Sequence, residues 1–261
     1  MYLAAMTWHE FKEVALPDLL ALIPLGSTEQ HGSIGPLGTD FTIPEEMACR
    51  IEKEMPGKVL VLPTMPYGVC PYHTEFAGSI DIGTAALQSV MTSIAMNLMN
   101  HGVRRFAFIN GHGGNDPALE AACLAIYERG GLGAILDWWV IARELKAEWG
   151  GGHGGGQEAS VMMALRPDWV RKEKNFVPEE IWSLTPELKS TYGNSITFHG
   201  ATVKIIRQTS AFSKTGTFGG NNDSCGRADA ALGGEIFEGT VRYLTDFASE
   251  FLRTPLTEKK C

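Results

Sequence analysis

Two kinds of apolar pattern alternate along the chain. Short, nearly continuous apolar runs occur at Ala21 to Gly26, Val59 to Leu62, Arg105 to Ile109 and Gly133 to Ile141. Runs of that length without strict alternation predict strands buried on both faces. Between them, longer segments space their apolar residues at the helical period. Thr42 to Glu54 carries Ile43, Met47, Ala48 and Ile51 on one stripe, with Pro44 in the expected first turn, where proline is tolerated. Thr84 to His101 predicts a long helix stopped by Gly102. Pro117 to Arg129, Glu158 to Leu165 (stopped by Pro167) and Asp229 to Phe251 complete the helical set. The last has Leu232, Ile236, Phe237, Val241, Leu244 and Phe247 on one stripe. Residues 176–206 follow neither period and predict irregular structure. Alternating strands and helices with continuous apolar strands predict an α/β fold of three layers, a mainly parallel sheet with helices on both faces. No repeat or low-complexity linker interrupts the pattern, so one domain over residues 1–261 is the expectation.

Composition changes this picture mainly by exclusion. A net charge of −8 argues against a nucleic-acid surface and against a polybasic membrane contact. No apolar run reaches the roughly 20 residues needed to span a bilayer. The five cysteines, Cys49, Cys70, Cys123, Cys225 and Cys261, are scattered and form no CxxC, which reads as a reduced, cytoplasmic chain. Met1 to Phe11 lacks the basic-then-apolar order of a secretory signal. Thirty glycines are the outlier, and they cluster around polar residues.

Three such clusters end a strand or begin a helix, where α/β sheets bind ligands. In Gly26-Ser-Thr-Glu-Gln-His-Gly32, Glu29 and His31 stand two apart, so an extended backbone points both the same way. A glycine-rich reversal then leads to Asp40. Glu, His and Asp converging make a ligand set for zinc or manganese; the plainer alternative is a helix-capping Asp beside a surface Glu–His pair. In Asn110-Gly-His-Gly-Gly-Asn115, His112 stands at a strand's carboxyl end as a ligand or catalytic group, or the glycines form an anion cradle. The loop lacks the GK[ST] ending of a P-loop. In Gly150-Gly-Gly-His-Gly-Gly-Gly-Gln-Glu158, Glu158 either complements a helix dipole or supplies an oxygen ligand, and His153 could move protons. His73 and Glu75, another i, i+2 pair, could line the site or touch a neighbouring subunit. Trp138, Trp139 and Trp149 read as core residues, although Trp149 lies four residues before His153. His9, His101 and His199 read as surface or capping residues. Ser27 and Ser160 sit in no GxSxG elbow, which argues against a serine hydrolase.

Together these segments resemble the creatininase (creatinine amidohydrolase) family. The resemblance rests on Pro24-Leu-Gly-Ser-Thr-Glu-Gln-His-Gly32, Leu37-Gly-Thr-Asp40, Asn110-Gly-His-Gly-Gly-Asn115, and His153 with Glu158-Ala-Ser, in that order. It implies two divalent metal ions, zinc or manganese, held by Glu29, His31, Asp40 and His112, with Asp40 bridging. It also implies a homo-oligomer, commonly a hexamer. Where creatininase carries a ligand glutamate this chain has Gly114, and Glu158 is the natural replacement. His153 aligns with the family's catalytic histidine. Gly113 stands where a tyrosine lines the creatinine pocket, Gly152 where a glutamate precedes the catalytic histidine, and Trp149 is retained; Gly113 and Trp149 are therefore the expected substrate-side positions, joined by His73 from the i, i+2 pair above. The implied function is hydrolysis of a small-molecule substrate, opening a cyclic amide or related carbonyl compound; the creatinine pocket itself is not retained intact, which speaks against creatinine. The rivals are C–C cleavage of a cyclic diketone from a polyol (inositol-type) pathway, deformylation of a nucleotide precursor, and a non-catalytic metal- or ligand-binding relative.

Overall fold

The computed structural model describes residues 1–14, 18–219 and 224–256; Cys261 lies outside them. Among the described residues the strands are β1 (Leu20–Leu25), β2 (Val59–Val61), β3 (Arg105–Asn110), β4 (Leu132–Asp137), β5 (Lys189–Ser190), β6 (Ser195–Phe198) and β7 (Ala201–Lys204). The helices are α1 (Trp8–Lys12), α2 (Thr39–Glu54), α3 (Thr84–Asn100), α4 (Asp116–Glu128), α5 (Trp138–Leu145), α6 (Gly156–Leu165), α7 (Lys172–Asn175) and α8 (Ala230–Arg253).

The apolar runs pair as a parallel sheet in the order β2-β1-β3-β4, with Leu20 opposite both Val59 and Arg105, and Arg105 opposite Leu132. Successive side chains leave opposite faces. Leu20, Leu22, Ala107 and Ile109 therefore pack into one core with Ile43 and Met47 of α2, Trp138 of α5, Val161 of α6, and Ile236 and Val241 of α8. Ala21, Ile23, Leu25, Phe106 and Phe108 pack into a second core with α3 and α4, through Leu87, Met91, Ala95, Leu119, Ala122 and Ile126. These are the expected three layers.

The connections fix where a site can form. The chain leaves β1 into α2 on one face, and leaves β3 into α4 on the other. Because β1 and β3 are neighbours, with Leu25 opposite Asn110, their carboxyl ends open a crevice at the point where the strand order reverses.

Three expectations are corrected. The run expected as one strand from Gly133 to Ile141 breaks at Asp137, and Trp138 onward is helical. Aromatic and β-branched residues favour strands locally, but Trp138 and Ala142, one helical turn apart, are buried together against the first core. Helix α2 begins at Thr39, not Thr42, so Pro44 lies inside the helix rather than in its first turn. A proline there cannot donate to the carbonyl four residues back, which is that of Asp40. Finally, residues 176–206 are not wholly irregular: β5, β6 and β7 form a small antiparallel sheet. Helix α1 carried a readable signal in Thr7 and Glu10, which form a reciprocal capping box.

Candidate metal centre

Four of the seven histidines meet at the β1/β3 crevice; His9, His101 and His199 are exposed. After β1, Gly26 to His31 stays extended, and both Glu29 and His31 enter the same buried cluster. Helix α2 delivers Asp40 in its first turn, and the loop after β3 delivers His112. Close backbone approach makes this possible. A Cβ on Gly26 would stand 2.3 Å from the Asp40 carbonyl oxygen, and one on Gly111 only 1.8 Å from it. The carbonyl freed by Pro44 thus nests against two glycines.

The carboxylate of Asp40 faces both ways. Its Oδ1 lies 2.7 Å from His31 Nε2, and its Oδ2 lies 3.2 Å from His112 Nδ1. Glu29 Oε1 is 3.2 Å from the same His112 nitrogen. Glu158, on the first turn of α6, reaches to 3.6 Å from His31 Nε2 while its Oε2 accepts the Gly154 N–H at 2.7 Å. Two half-sites therefore share Asp40, one with Glu29 and His112, the other with His31 and Glu158. No side chain could enter from position 114, because a Cβ there would stand 2.0 Å from the Val69 carbonyl oxygen and 2.5 Å from His112 Nε2.

The buried donor set has the chemistry of a cation site. Both oxygens of Glu29, Asp40 Oδ2 and His31 Nε2 are buried and make no hydrogen bond, a costly state for a charged oxygen unless something positive meets it. The far nitrogens are tied down. His31 Nδ1–H donates to the Glu29 carbonyl at 3.1 Å, and His112 Nε2–H to that of Val69 at 2.9 Å. Each ring then turns its other nitrogen to the cluster, with the outer support usual for a metal-bound imidazole. Glu29, His31 and Asp40 offer ligand atoms within 4.8 Å of one another, as do His31, His153 and Glu158, and Glu29, His73 and His153.

The electrostatics agree. Burial alone would pull His31 below its ordinary value, but Asp40, Glu158 and Glu29 push it up to about 10. Burial would raise Asp40, but His31 and His112 hold it at about 2. His112 is raised well above the imidazole range against burial, chiefly by Glu29 and Asp40. His153 goes the other way: burial and the neighbouring imidazoles of His73, His31 and His112 hold it well below that range.

A cavity of about 590 Å³ opens onto the cluster. Asp40, His73, His112, Gly113, His153 and Glu158 border it, with an aromatic wall from Trp139, Tyr192, Phe212 and Phe218. Two expected positions fall elsewhere. Trp149 does not border the cavity. Its ring packs in the first core, where a Cβ on Gly239 of α8 would stand 2.3 Å from it, and Lys146 Nζ caps it at 4.5 Å. The indole at the cavity is Trp139. Glu75 also points away, accepting from Ser210, because Thr74 between it and His73 is αR rather than extended, so residues two apart diverge. Gln30, Trp139 and Phe218 were not singled out by any motif, although Gln30 lies inside one.

A family model described as "Creatininase: Creatinine amidohydrolase" matches residues 4–248. A mycofactocin precursor peptide peptidase from Mycolicibacterium smegmatis is 35% identical over 156 residues, covering 58% of this chain and 60% of that protein. The alignment thus spans less than two thirds of that relative. A creatinine amidohydrolase from Pseudomonas putida is 27% identical over 216 residues, covering 71% of this chain and 82% of the other. Among solved structures, a creatininase described as "Creatininase Mn" superposes with a TM-score of 0.75 at 24% identity, covering 97% of this chain and 99% of that one.

Proposed function

The chain belongs to the creatininase family, and we propose that it is a metal-dependent hydrolase that cleaves an amide C–N bond, with Asp40 shared between two divalent ions. Glu29, Asp40 and His112 would hold one ion; His31, Asp40 and Glu158 the other. Mixed carboxylate and imidazole donors suit zinc or manganese. The single observation that carries the reading is the two-sided Asp40, with His31 at 2.7 Å from one oxygen and His112 at 3.2 Å from the other.

Bound there, a pair of divalent ions supplies an activated water at neutral pH and a Lewis acid for the carbonyl. The chain supplies the rest. The carbonyls of Glu29 and Val69 fix the His31 and His112 tautomers. His153 donates Nε2–H to the Gln30 carbonyl at 2.8 Å, which leaves Nδ1, 3.5 Å from Glu29 Oε1, free to take and return a proton. Its depressed basicity favours the neutral form that this task requires. Phe218 stacks on His153 at 4.9 Å between centroids and keeps water from that side of the ring.

The cavity supports a substrate larger than creatinine, since about 590 Å³ is the size of a pocket for a drug-sized ligand rather than for one small ring. The name of the mycofactocin relative points the same way, toward a peptide-like amide. A homo-oligomer, hexameric by resemblance, and a cytoplasmic location belong to the same proposal. Exposed Trp169, Ile181 and Trp182 offer apolar surface to a second copy, and Cys49, Cys70 and Cys123 are free thiols suited to a reducing compartment. No described helix is long and apolar enough to cross a membrane.

Elemental analysis of protein purified without chelator tests the reading. Two divalent ions per chain are expected in the wild type, fewer in Asp40→Asn and in Glu158→Ala, and an unchanged content in His153→Ala with turnover lost. Full metal content in Asp40→Asn would remove the shared ligand and the proposal with it. Amides and cyclic ketones offered in parallel to the metal-loaded protein decide between C–N and C–C cleavage.

A further inference from the structure

Gln30 sits between Glu29 and His31 in sequence, yet its buried side chain serves two other histidines. Its Nε2 lies 2.7 Å from His73 Nδ1, 2.8 Å from His153 Nε2 and 3.1 Å from the Gly216 carbonyl oxygen. Its Oε1 accepts the Gly32 N–H at 3.0 Å. The last two partners fix the amide's orientation. A backbone N–H can only donate and a carbonyl can only accept, so a flipped amide would oppose both. The seat is made for this amide. A Cβ on Gly216 would stand 2.0 Å from Gln30 Oε1, and Gly216 has a φ of 88°, which favours glycine.

Counting protons then assigns both rings. The amide has two hydrogens, and one goes to the Gly216 carbonyl. His153 Nε2 also lies 2.8 Å from the Gln30 main-chain oxygen, an acceptor, so this nitrogen carries its own hydrogen. The second amide hydrogen is left for His73 Nδ1. His73 therefore has a bare Nδ1 and a protonated Nε2, and that Nε2 faces Glu29 Oε1 at 3.9 Å. His153 turns the opposite character to the cluster, a bare Nδ1. The rings lie 4.5 Å apart between centroids, and Phe218 stacks on both, at 19° to His73 and 21° to His153.

We infer that Gln30 is a positioning residue that divides this histidine pair into a hydrogen-bond donor, His73, and an acceptor, His153, both facing the cavity beside the metal ligands. His73 is then no metal ligand, although its nitrogen lies within ligand reach of Glu29 and His153. Its Nε2–H is offered to an oxygen, in the substrate the carbonyl or the oxyanion formed from it. Only this last step rests on the hydrolase reading.

Long-range proton–nitrogen correlation spectra of ¹⁵N-labelled, zinc-loaded protein test the inference, because protonated and bare ring nitrogens resonate far apart. The His73 signals are assigned by their loss in His73→Gln. The expected wild-type result is a bare Nδ1 and a protonated Nε2 on His73. In Gln30→Glu the carboxylate accepts instead of donating, so the His73 proton moves to Nδ1 while His153 keeps its Nε2–H. Should that variant not fold, Gln30→Met keeps the length, loses the donor and is expected to leave His73 in a mixture of tautomers. Zinc content in His73→Gln stays at the wild-type value. A wild-type His73 protonated at Nδ1, a His73 tautomer unchanged in the Gln30 variant that folds, or the loss of zinc in His73→Gln overturns the inference. Failure of the hydrolase reading shows itself separately, as tautomers of this kind in a zinc-loaded protein that turns over no amide.

Discussion

Replacing Gly111 by alanine probes the joint between the strand end and the first turn of α2. The new Cβ would stand 1.8 Å from the Asp40 carbonyl oxygen and 2.7 Å from its carbonyl carbon. Ordinary contact begins near 3.4 Å, so the two backbones must part by roughly 1.6 Å, and neither is the flexible end of a side chain. Overpacking of this kind costs about 1–3 kcal/mol, offset by the roughly 0.4–1 kcal/mol that Gly→Ala gains through the unfolded chain. The net expectation is a loss of about 1–2 kcal/mol. The effect on the metal centre is larger. His112 follows Gly111 directly and meets Asp40 Oδ2 at 3.2 Å, whereas a shared ion tolerates displacements of only about 0.2 Å in its ligand distances. Gly111→Ala is thus expected to lose the ion between Asp40 and His112. Gly113→Ala, two residues on, is the control: its Cβ would meet only Trp139 Cζ2 at an ordinary 3.6 Å. Metal content by elemental analysis after dialysis, with urea midpoints for both variants, makes the comparison. If Gly111→Ala retains the wild-type metal content and midpoint, or if Gly113→Ala falls as far, the steric account of this joint is wrong.

Two further outcomes follow from the same geometry. Chelation should lower the melting temperature. An ion held at 100 times its dissociation constant adds about 2.7 kcal/mol, and at about 2–4 °C per kcal/mol for domains near this size the drop is roughly 5–10 °C; an unchanged melting curve in chelator would mean that Glu29 and Asp40 meet no ion. Asp116 predicts a pH dependence, since burial, reinforced by Asp137, pushes its carboxyl up to about 7. A raised pKa means that the folded state holds this proton more tightly, so the contribution is complete below about pH 4, the unfolded value, and is lost as pH rises through about 7. Asp116→Asn keeps the oxygen that accepts Asn110 Nδ2–H at 2.9 Å and removes the titration. Denaturation midpoints of the variant relative to wild type should therefore rise between pH 4 and pH 8, and a flat difference would refute this.

What the sequence reveals depends on how local the determining contacts are. Glu29 and His31 could be paired because an extended segment turns alternate residues one way, and that rule holds whatever surrounds it. The same rule turned Gln30 away from them. Only His73, His153 and Gly216, contributed by segments far along the chain, make that other side part of the site. Trp149 illustrates the opposite error. Its spacing from His153 suggested the pocket, but the slot that takes its ring exists because Gly239, ninety positions later, has no side chain. The early start of α2 was hidden by proline grammar, which marks Pro44 as a first-turn residue. The freed Asp40 carbonyl lies instead against Gly26 and Gly111, and no local pattern encodes that contact. Strand cores such as Phe106 and Phe108 were legible because burial on both faces demands an unbroken apolar run, which Trp138 continues although it begins a helix.

The charge balance of the cluster explains why these residues should gather at a crevice at all. Glu29, Asp40 and Glu158 bring three carboxylates into a space where Glu29 and Asp40 are almost wholly buried. Carboxylates so placed require positive charge, because isolated burial of an ionised oxygen is prohibitively costly. Without a metal, His31 and His112 supply it by holding protons, which is why His31 is pushed up to about 10 and His112 well above its ordinary range. Each of those protons occupies the nitrogen lone pair that a cation would use, since the other nitrogen of each ring is engaged by a backbone carbonyl. A divalent ion in each half-site would replace the proton, neutralise the carboxylates more fully and leave both imidazoles neutral, as ligation requires. His153 lies outside this exchange. Its outward nitrogen is committed to the Gln30 carbonyl, and burial together with three neighbouring imidazoles disfavours its charge. One cluster therefore contains two histidines whose basicity is raised by carboxylates and two, His73 and His153, whose basicity is lowered by burial and by neighbouring imidazoles, and such a division of environments is what separates groups that hold a cation from a group that moves a proton.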